Sequence, residues 1–267
     1  MSFTVHPVGK MASRHMDNVD SSADFSKLGA LSPVTPARVH EVKAYIAGLH
    51  QRIAPGYDPM QIVTVLMTQL TQKSLTTARH SVSVAHVSRI LAESLHIDAV
   101  MVERIALAAL LHDVGKLMIP SSVLEKQSAL SAGERRCIQS HAIVTDVILS
   151  TFPGFDAVSD IAALHHEHLN GTGYPYGVSA AGLDITVRII AVADIFAALT
   201  EERSYRHGES NASAIHRLSM LAEKDIVDSN VVSRAQDVLL TVKKPSFGPL
   251  TTPTRLALAL DFEQTIP

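Results

Sequence analysis

Apolar residues recur at helical spacing from position 39 onward, and the pattern predicts a succession of helices with little strand signal. Val39, Val42, Ile46, Leu49 and Ile53 follow a 3,4,3,4 spacing, which gives a helix with a narrow apolar seam. Such a seam packs on the chain's own domain or, alternatively, joins two copies as a homodimer. "APGYDP" breaks the pattern, and residues 59–73 read as a second helix. Over 76–95 the stripe His80, Val84, Val87, Leu91 puts His80 on a buried face and His86 on the other side. Residues 98–112 form the next helix, ended by Gly115 and Pro120. "SAGE", Ser131 to Glu134, is a capping-box signature that opens a helix with the buried stripe Cys137, His141, Val144, Ile148. After "FPGFD", Val158, Ile161 and His165 share one face of a helix that stops at "NGTGYPYG". In "DITVRIIAVADIFAALT", Asp194 lies between Ile190 and the pair Ala197 and Ala198, so a carboxylate faces the core. A last amphipathic helix covers about 228–240.

The expected fold class is therefore all-α. Residues 1–35 are polar, without an apolar period, and read as a flexible tail. Residues 36–74 form a helical extension suited to docking a partner or a second copy, 75–240 the main domain, and 241–267 a weakly patterned C-terminal tail. The stretch before residue 75 is too short for a full receiver or sensor domain. A net charge of -3 gives no electrostatic footprint for DNA or an anionic membrane. The longest uncharged apolar stretch, Ile105 to Leu111, falls far short of a membrane span, and no signal-peptide core opens the chain. A cytoplasmic protein is the default expectation. Cys137 is the only cysteine, so a metal site must use nitrogen and oxygen donors.

Placement makes the fourteen histidines informative. A single histidine on an apolar helical face is usually a hydrogen-bonded core residue. Here His80, His112, Asp113, His141, His165, His166 and Asp194 lie on five successive helical segments at intervals of about 24 to 32 residues. Five imidazoles and two carboxylates buried together need cationic partners, and two divalent ions bridged by Asp113 would use every donor. Donors of this kind suit iron, manganese or zinc rather than calcium or magnesium. Two ions roughly 3.5–4 Å apart can hold a hydroxide and clamp the oxygens of an in-line displacement on phosphorus, which points to phosphoester hydrolysis. Lys116, one turn after Asp113, would place an ammonium beside a phosphate oxygen.

"HDVGK" at 112–116, "HHEHLNGTGYP" at 165–175 and "VADIFAALTEERSYR" at 192–206 resemble the HD-GYP domain, the bacterial cyclic di-GMP phosphodiesterase branch of the HD hydrolase superfamily. The resemblance runs from about residue 75 to 240. It implies an HD-superfamily helical bundle with a binuclear, sometimes trinuclear, metal centre that opens cyclic di-GMP to the linear dinucleotide and often to GMP. Position by position, His80, His112, Asp113, His141, His165, His166 and Asp194 match the ligands, with Asp113 the bridging carboxylate. Lys116 matches a lysine near the scissile phosphate. Gly173, Tyr174 and Pro175 match a loop beside the substrate that also serves regulatory partners. Arg203 and Arg206 match basic positions that reach the phosphates, a task for which forked donors are well shaped.

The chain departs from this pattern at three places. Asn170 stands where aspartate is usual, which implies altered loop electrostatics with the metals retained. Thr76 stands four residues before His80, where trinuclear members carry glutamate, so two metals are favoured over three. "RSYR" lacks a proline after its first arginine. Glu167 is expected to support the histidines from behind. The alternatives are hydrolysis of another cyclic dinucleotide such as cyclic GMP-AMP, and a cyclic dinucleotide receptor or partner-binding module with little turnover. The GYP loop and the two arginines disfavour a general HD nucleotidase.

Overall fold

Helix starts coincide with side chains that take the open N–H groups of a first turn. A computed structural model describes residues 36–53, 58–202 and 207–242. Within them the chain forms eleven α-helices and no strand. Helix α1 spans Pro36–Arg52, α2 Pro59–Lys73, α3 Leu75–Ser94 and α4 Ala99–Leu111. Then follow α5 at Ser121–Leu124, α6 at Ala132–Gln139, α7 at His141–Leu149 and α8 at Asp156–Ala163. The last three are α9 at Ile185–Thr200, α10 at Asn211–Ala222 and α11 at Ser229–Leu239. Tight 3-10 turns occupy Val114–Met118 and Ala180–Gly182. Asp58, Ser74, Asp98, Asp184, Ser210 and Asp228 cap α2, α3, α4, α9, α10 and α11. The Ser131–Glu134 capping box at the head of α6 is present in both directions.

Helix α4 is buried without interruption from Ile105 to Leu111, so it forms the centre of the core. Helix α3 packs along α4, and α9 packs on α3. The stripe His80, Val84, Val87, Leu91 is buried as its spacing predicts, and so are the small residues Ser81, Ala85, Ser88 and Ala92. Helix α7 lies on the Val114–Met118 turn, α8 on α7 and α4, and α10 with α11 closes the far side of α9.

Three differences from the sequence reading have physical causes. The helix foreseen from "SAGE" through Ile148 is two helices, α6 and α7, separated at Ser140, and Cys137 is only partly buried. The helix foreseen to carry His165 stops at Ala163. Helix α10 was passed over because it buries only Ala214, Ile215 and Leu218 from an otherwise polar stretch. The α1 seam also finds its place: Val42, Leu49 and Ile53 are buried in the chain's own core, and the His50 ring stacks on Phe152 at 4.9 Å. A homodimer would therefore need another face. Because Leu49 is 1% exposed, Leu49→Ala is expected to lower stability by about 2–5 kcal/mol in urea denaturation, with an unchanged sedimentation profile.

Candidate metal centre

A helix leaves its last carbonyls without N–H partners, and three histidines supply them. His112 directly follows α4, and its Nδ1 donates to Ala109 O at 2.6 Å. His141, two residues beyond α6, donates from Nδ1 to Ile138 O at 2.7 Å. His165, two residues beyond α8, does the same to Ala162 O at 2.6 Å. Each ring is tied to the carbonyl three residues earlier, so Nδ1 carries the proton and Nε2 offers a lone pair. These bonds also explain why the helices end where they do, with the histidines at their ends rather than along a continuous stripe.

Asp113 lies where these Nε2 atoms meet. It is fully buried, with Oδ2 at 2.6 Å from Lys116 Nζ and 3.3 Å from His112 Nε2, and Oδ1 at 3.2 Å from His141 Nε2. Oδ1 nevertheless makes no hydrogen bond. The approach of α7 depends on Gly115, where a Cβ would lie 2.1 Å from His141 O. Thr145 of α7 completes the join: its hydroxyl donates to His112 O at 2.9 Å and accepts from Gly115 N at 3.0 Å. Of the remaining donors, His80 and Asp194 come from helix interiors and His166 from the turn after α8. His80 of α3 places Nε2 at 2.8 Å from Asp194 Oδ1 of α9, and its Nδ1 meets Glu201 Oε2 at 3.0 Å. His166 Nδ1 stands 3.8 Å from Asp194 Oδ2.

The electrostatics separate these groups. Burial pushes His141 down to about 3, His166 down to about 4 and His165 well below the usual histidine range. His80 is held up at about 10: burial opposes its charge, but the hydrogen bonds and charges of Asp194 and Glu201 outweigh burial. Burial alone would raise Asp113, yet the His112 ring and the Lys116 ammonium hold it well below the carboxylate range. Asp194 is likewise held low, chiefly by His80 against the effect of burial.

His141 Nε2 and His165 Nε2 face each other at 3.3 Å. With both Nδ1 protons committed to carbonyls and further protonation disfavoured by burial, two lone pairs at that separation call for a cation. The donors form two separate triads, His141–His165–His166 and His80–His112–Asp194, each with ligand atoms within 4.8 Å of one another. A third set, His112–Asp113–His165, overlaps both. Asp113 spans the two, with one oxygen toward His141 and the other toward His112. The donor set and the unbonded Oδ1 fit two divalent cations with Asp113 as a bridge.

The segment after His166 folds back over this cluster. Glu167 is 2% exposed, and its carboxylate accepts from the backbone N–H groups of Tyr176 at 2.6 Å, Gly177 at 3.1 Å and Val178 at 3.0 Å. It therefore anchors the Gly173–Tyr174–Pro175 loop rather than supporting the histidines. At Gly173 a Cβ would lie within 2.5 Å of the backbone of Glu167, His168 and His166, so a side chain is excluded there. Tyr174 N donates to His166 O at 3.1 Å, and its ring lies on His166 with centroids 4.6 Å apart. Asn170 turns away from the cluster: its amide donates to Lys224 O at 2.8 Å and its carbonyl accepts from Thr172 N at 3.0 Å.

The family model of the HD domain matches residues 62–231. The chain belongs to the HD domain family. Its HHE and GYP elements, joined through Glu167 and Tyr174, resemble those of the HD-GYP branch. A 3'3'-cGAMP-specific phosphodiesterase 3 of Vibrio cholerae is 42% identical over 54% of this chain and 32% of its own length. A 3'3'-cGAMP-specific phosphodiesterase 1 of the same organism is 38% identical over 57% and 35%. A cyclic di-GMP phosphodiesterase of Pseudomonas aeruginosa is 34% identical over 54% and 35%. The chain thus spans about a third of the length of these relatives. The crystal structure of a Vibrio cholerae cyclic GMP-AMP-specific phosphodiesterase shares the fold, with a TM-score of 0.51 at 16% identity over 76% of this chain and 50% of that one.

Within this HD domain the seven foreseen ligands and Lys116 come together, with Gly173 and Tyr174 against them. Arg203 and Arg206 lie outside the described residues. Thr145 and Glu201 were not singled out from the sequence. Thr145 has no sequence signal of its own, whereas Glu201 stands seven residues after Asp194, which puts both on one helical face.

Two outcomes follow for the HD domain. Glu167→Gln is expected to speed hydrogen exchange at the amides of Tyr176, Gly177 and Val178 by roughly tenfold, with the α7 amides unchanged. In chelator-treated protein, stability followed by urea denaturation is expected to fall on both sides of the ordinary histidine value of 6.5. Below it, the unfolded chain takes up protons that His141 and His166 of the folded chain refuse until about 3 and about 4. Above it, the stabilisation from charged His80 is lost as the pH approaches about 10.

Proposed function

We propose that this chain is a metal-dependent phosphodiesterase that hydrolyses cyclic di-GMP. The observation that carries this reading is the pair of triads spanned by the buried Asp113. His141, His165 and His166 would hold one ion, and His80, His112 and Asp194 the other, with Asp113 shared. Iron or manganese is the preferred metal, with zinc also compatible with nitrogen and oxygen donors. Two such ions supply Lewis acidity at phosphorus and lower the pKa of a water. Lys116 supplies an ammonium beside Asp113, and its side chain, 19% exposed, would reach a phosphate oxygen. Gly173, Tyr174 and Pro175 would border the substrate, and Arg203 and Arg206 would take its phosphates. The half-exposed Tyr176 ring, 39% open to solvent, supports a regulatory contact on the same loop. In the reaction, water adds to phosphorus and a ribose 3' oxygen leaves, which gives linear pGpG; a second hydrolysis gives GMP.

A second reading, hydrolysis of 3'3'-cGAMP, has its own support. Two relatives whose names carry that specificity are 38% and 42% identical and a third is 34% identical, against 34% for the Pseudomonas aeruginosa cyclic di-GMP enzyme. The receptor reading loses one of its motives, because Asn170 is occupied in bonds to Lys224 and Thr172. The test is turnover by anaerobically prepared protein loaded with ferrous iron or manganese, with each cyclic dinucleotide supplied separately and the products resolved by chromatography. Multiple turnovers are expected. Asp113→Ala is expected to reduce them by more than the roughly 100-fold typical of a supporting residue. Intact substrate in the presence of bound metal would overturn the reading.

A further inference from the structure

His80 differs from the other histidines of the centre in how its ring is held. His112, His141 and His165 each follow a helix, where a backbone carbonyl is free to take the Nδ1 proton. His80 lies inside α3, where the preceding carbonyls already serve the helix. No carbonyl of its own helix is available to fix that ring. Glu201 fills this role from the end of α9, with Oε2 at 3.0 Å from His80 Nδ1, while Asp194, seven residues earlier, faces Nε2 at 2.8 Å. One helix thus brings a carboxylate to each side of one imidazole.

Packing needs do not explain Glu201. Its second oxygen, Oε1, is buried and makes no hydrogen bond to the described residues, which is unfavourable for a carboxylate placed for stability alone. Glu201 and Thr76 line one cleft of about 450 Å³ beside α3, so the side chain also has room to lie elsewhere. The bond to His80 is the contact that accounts for its position.

We propose that Glu201 is a positioning residue: by accepting a hydrogen bond from Nδ1–H of His80 it holds the ring with Nε2 turned into the His80–His112–Asp194 triad, where an ion would take the place of the Nε2 proton, and it sets the affinity of that metal position. A carboxylate partner fixes the tautomer, orients the ring and raises its basicity as a ligand. The other triad, whose rings are held by backbone carbonyls or lie away from Glu201, does not depend on it. The inference rests on the proposed metal centre.

The test uses the full chain and manganese alone, without substrate. Metal per chain is counted after gel filtration, both dissociation constants are measured by titration calorimetry, and helicity is checked by circular dichroism. Wild type is expected to hold two ions. Glu201→Leu, which removes the acceptor, is expected to keep one ion at wild-type affinity and to weaken the other by roughly 10–100-fold. Glu201→Gln, which keeps an acceptor oxygen at the same reach, is expected to restore most of that loss. Glu201→Asp, which keeps the charge but draws back from Nδ1, is expected to resemble Glu201→Leu, and it replaces that variant if the leucine chain does not fold. Two ions at unchanged affinity in the leucine and aspartate variants would overturn the role of Glu201 while leaving the metal centre intact. A glutamine variant as weak as the leucine one would also overturn it. A wild type that binds no manganese would bring down the proposed centre and this inference together.

Discussion

A carboxylate without solvent contact persists only where cationic or hydrogen-bonding groups surround it, and Asp113 is such a carboxylate, fully buried just beyond the continuously buried end of α4. The local design follows from that constraint. Lys116 returns to Oδ2 within one turn, and His112 and His141 flank the two oxygens. Gly115 is required because α7 must come close enough to deliver His141, and Thr145 uses one hydroxyl to tie both sides of the join. Each residue of "HDVGK" apart from its apolar valine therefore answers to the same buried charge.

The surrounding helices hold the donors by two different means. Where a histidine follows a helix, the backbone orients it through a carbonyl left over from the last turn. Where donors lie within helices, as with His80 and Asp194, the packing of α9 on α3 sets their separation. Ligand atoms supported on core elements are held more precisely than atoms on loops, and the continuous burial of α4 provides the rigid base.

Much of this was legible in the sequence, for reasons that also mark the limits. Period and burial agree for His80, Val84, Val87 and Leu91 because α3 is long and regular. The recurrence of histidine and aspartate on successive segments picked out the donors that the fold brings together, since buried polar groups in such number require one another. The same periodic reasoning extended helices through His141 and His165, because a spacing of three or four residues does not distinguish a mid-helix ring from one that turns back to cap a carbonyl. Glu167 was misread for a related reason. Its position beside two ligands suggested support for them, whereas its carboxylate binds amides nine to eleven residues downstream, a long-range relation without a periodic signature. Helix α10 escaped because so few of its residues are buried.

The stitch between the GYP segment and the turn after α10 has a consequence for how related chains can differ in length. Leu169 N and Asn170 N donate to Ile226 O and Asp225 O, and the Asn170 amide donates to Lys224 O, so consecutive residues of one segment run against consecutive residues of the other. Arg188 reinforces the join by bonding Asp228 as well as the carbonyls of Ala180 and Leu183. A residue inserted or deleted on one side alone would shift this register and leave several of these groups without their partners. The lengths of these two stretches, more than fifty residues apart in the chain, are therefore tied to one another by the pairing itself.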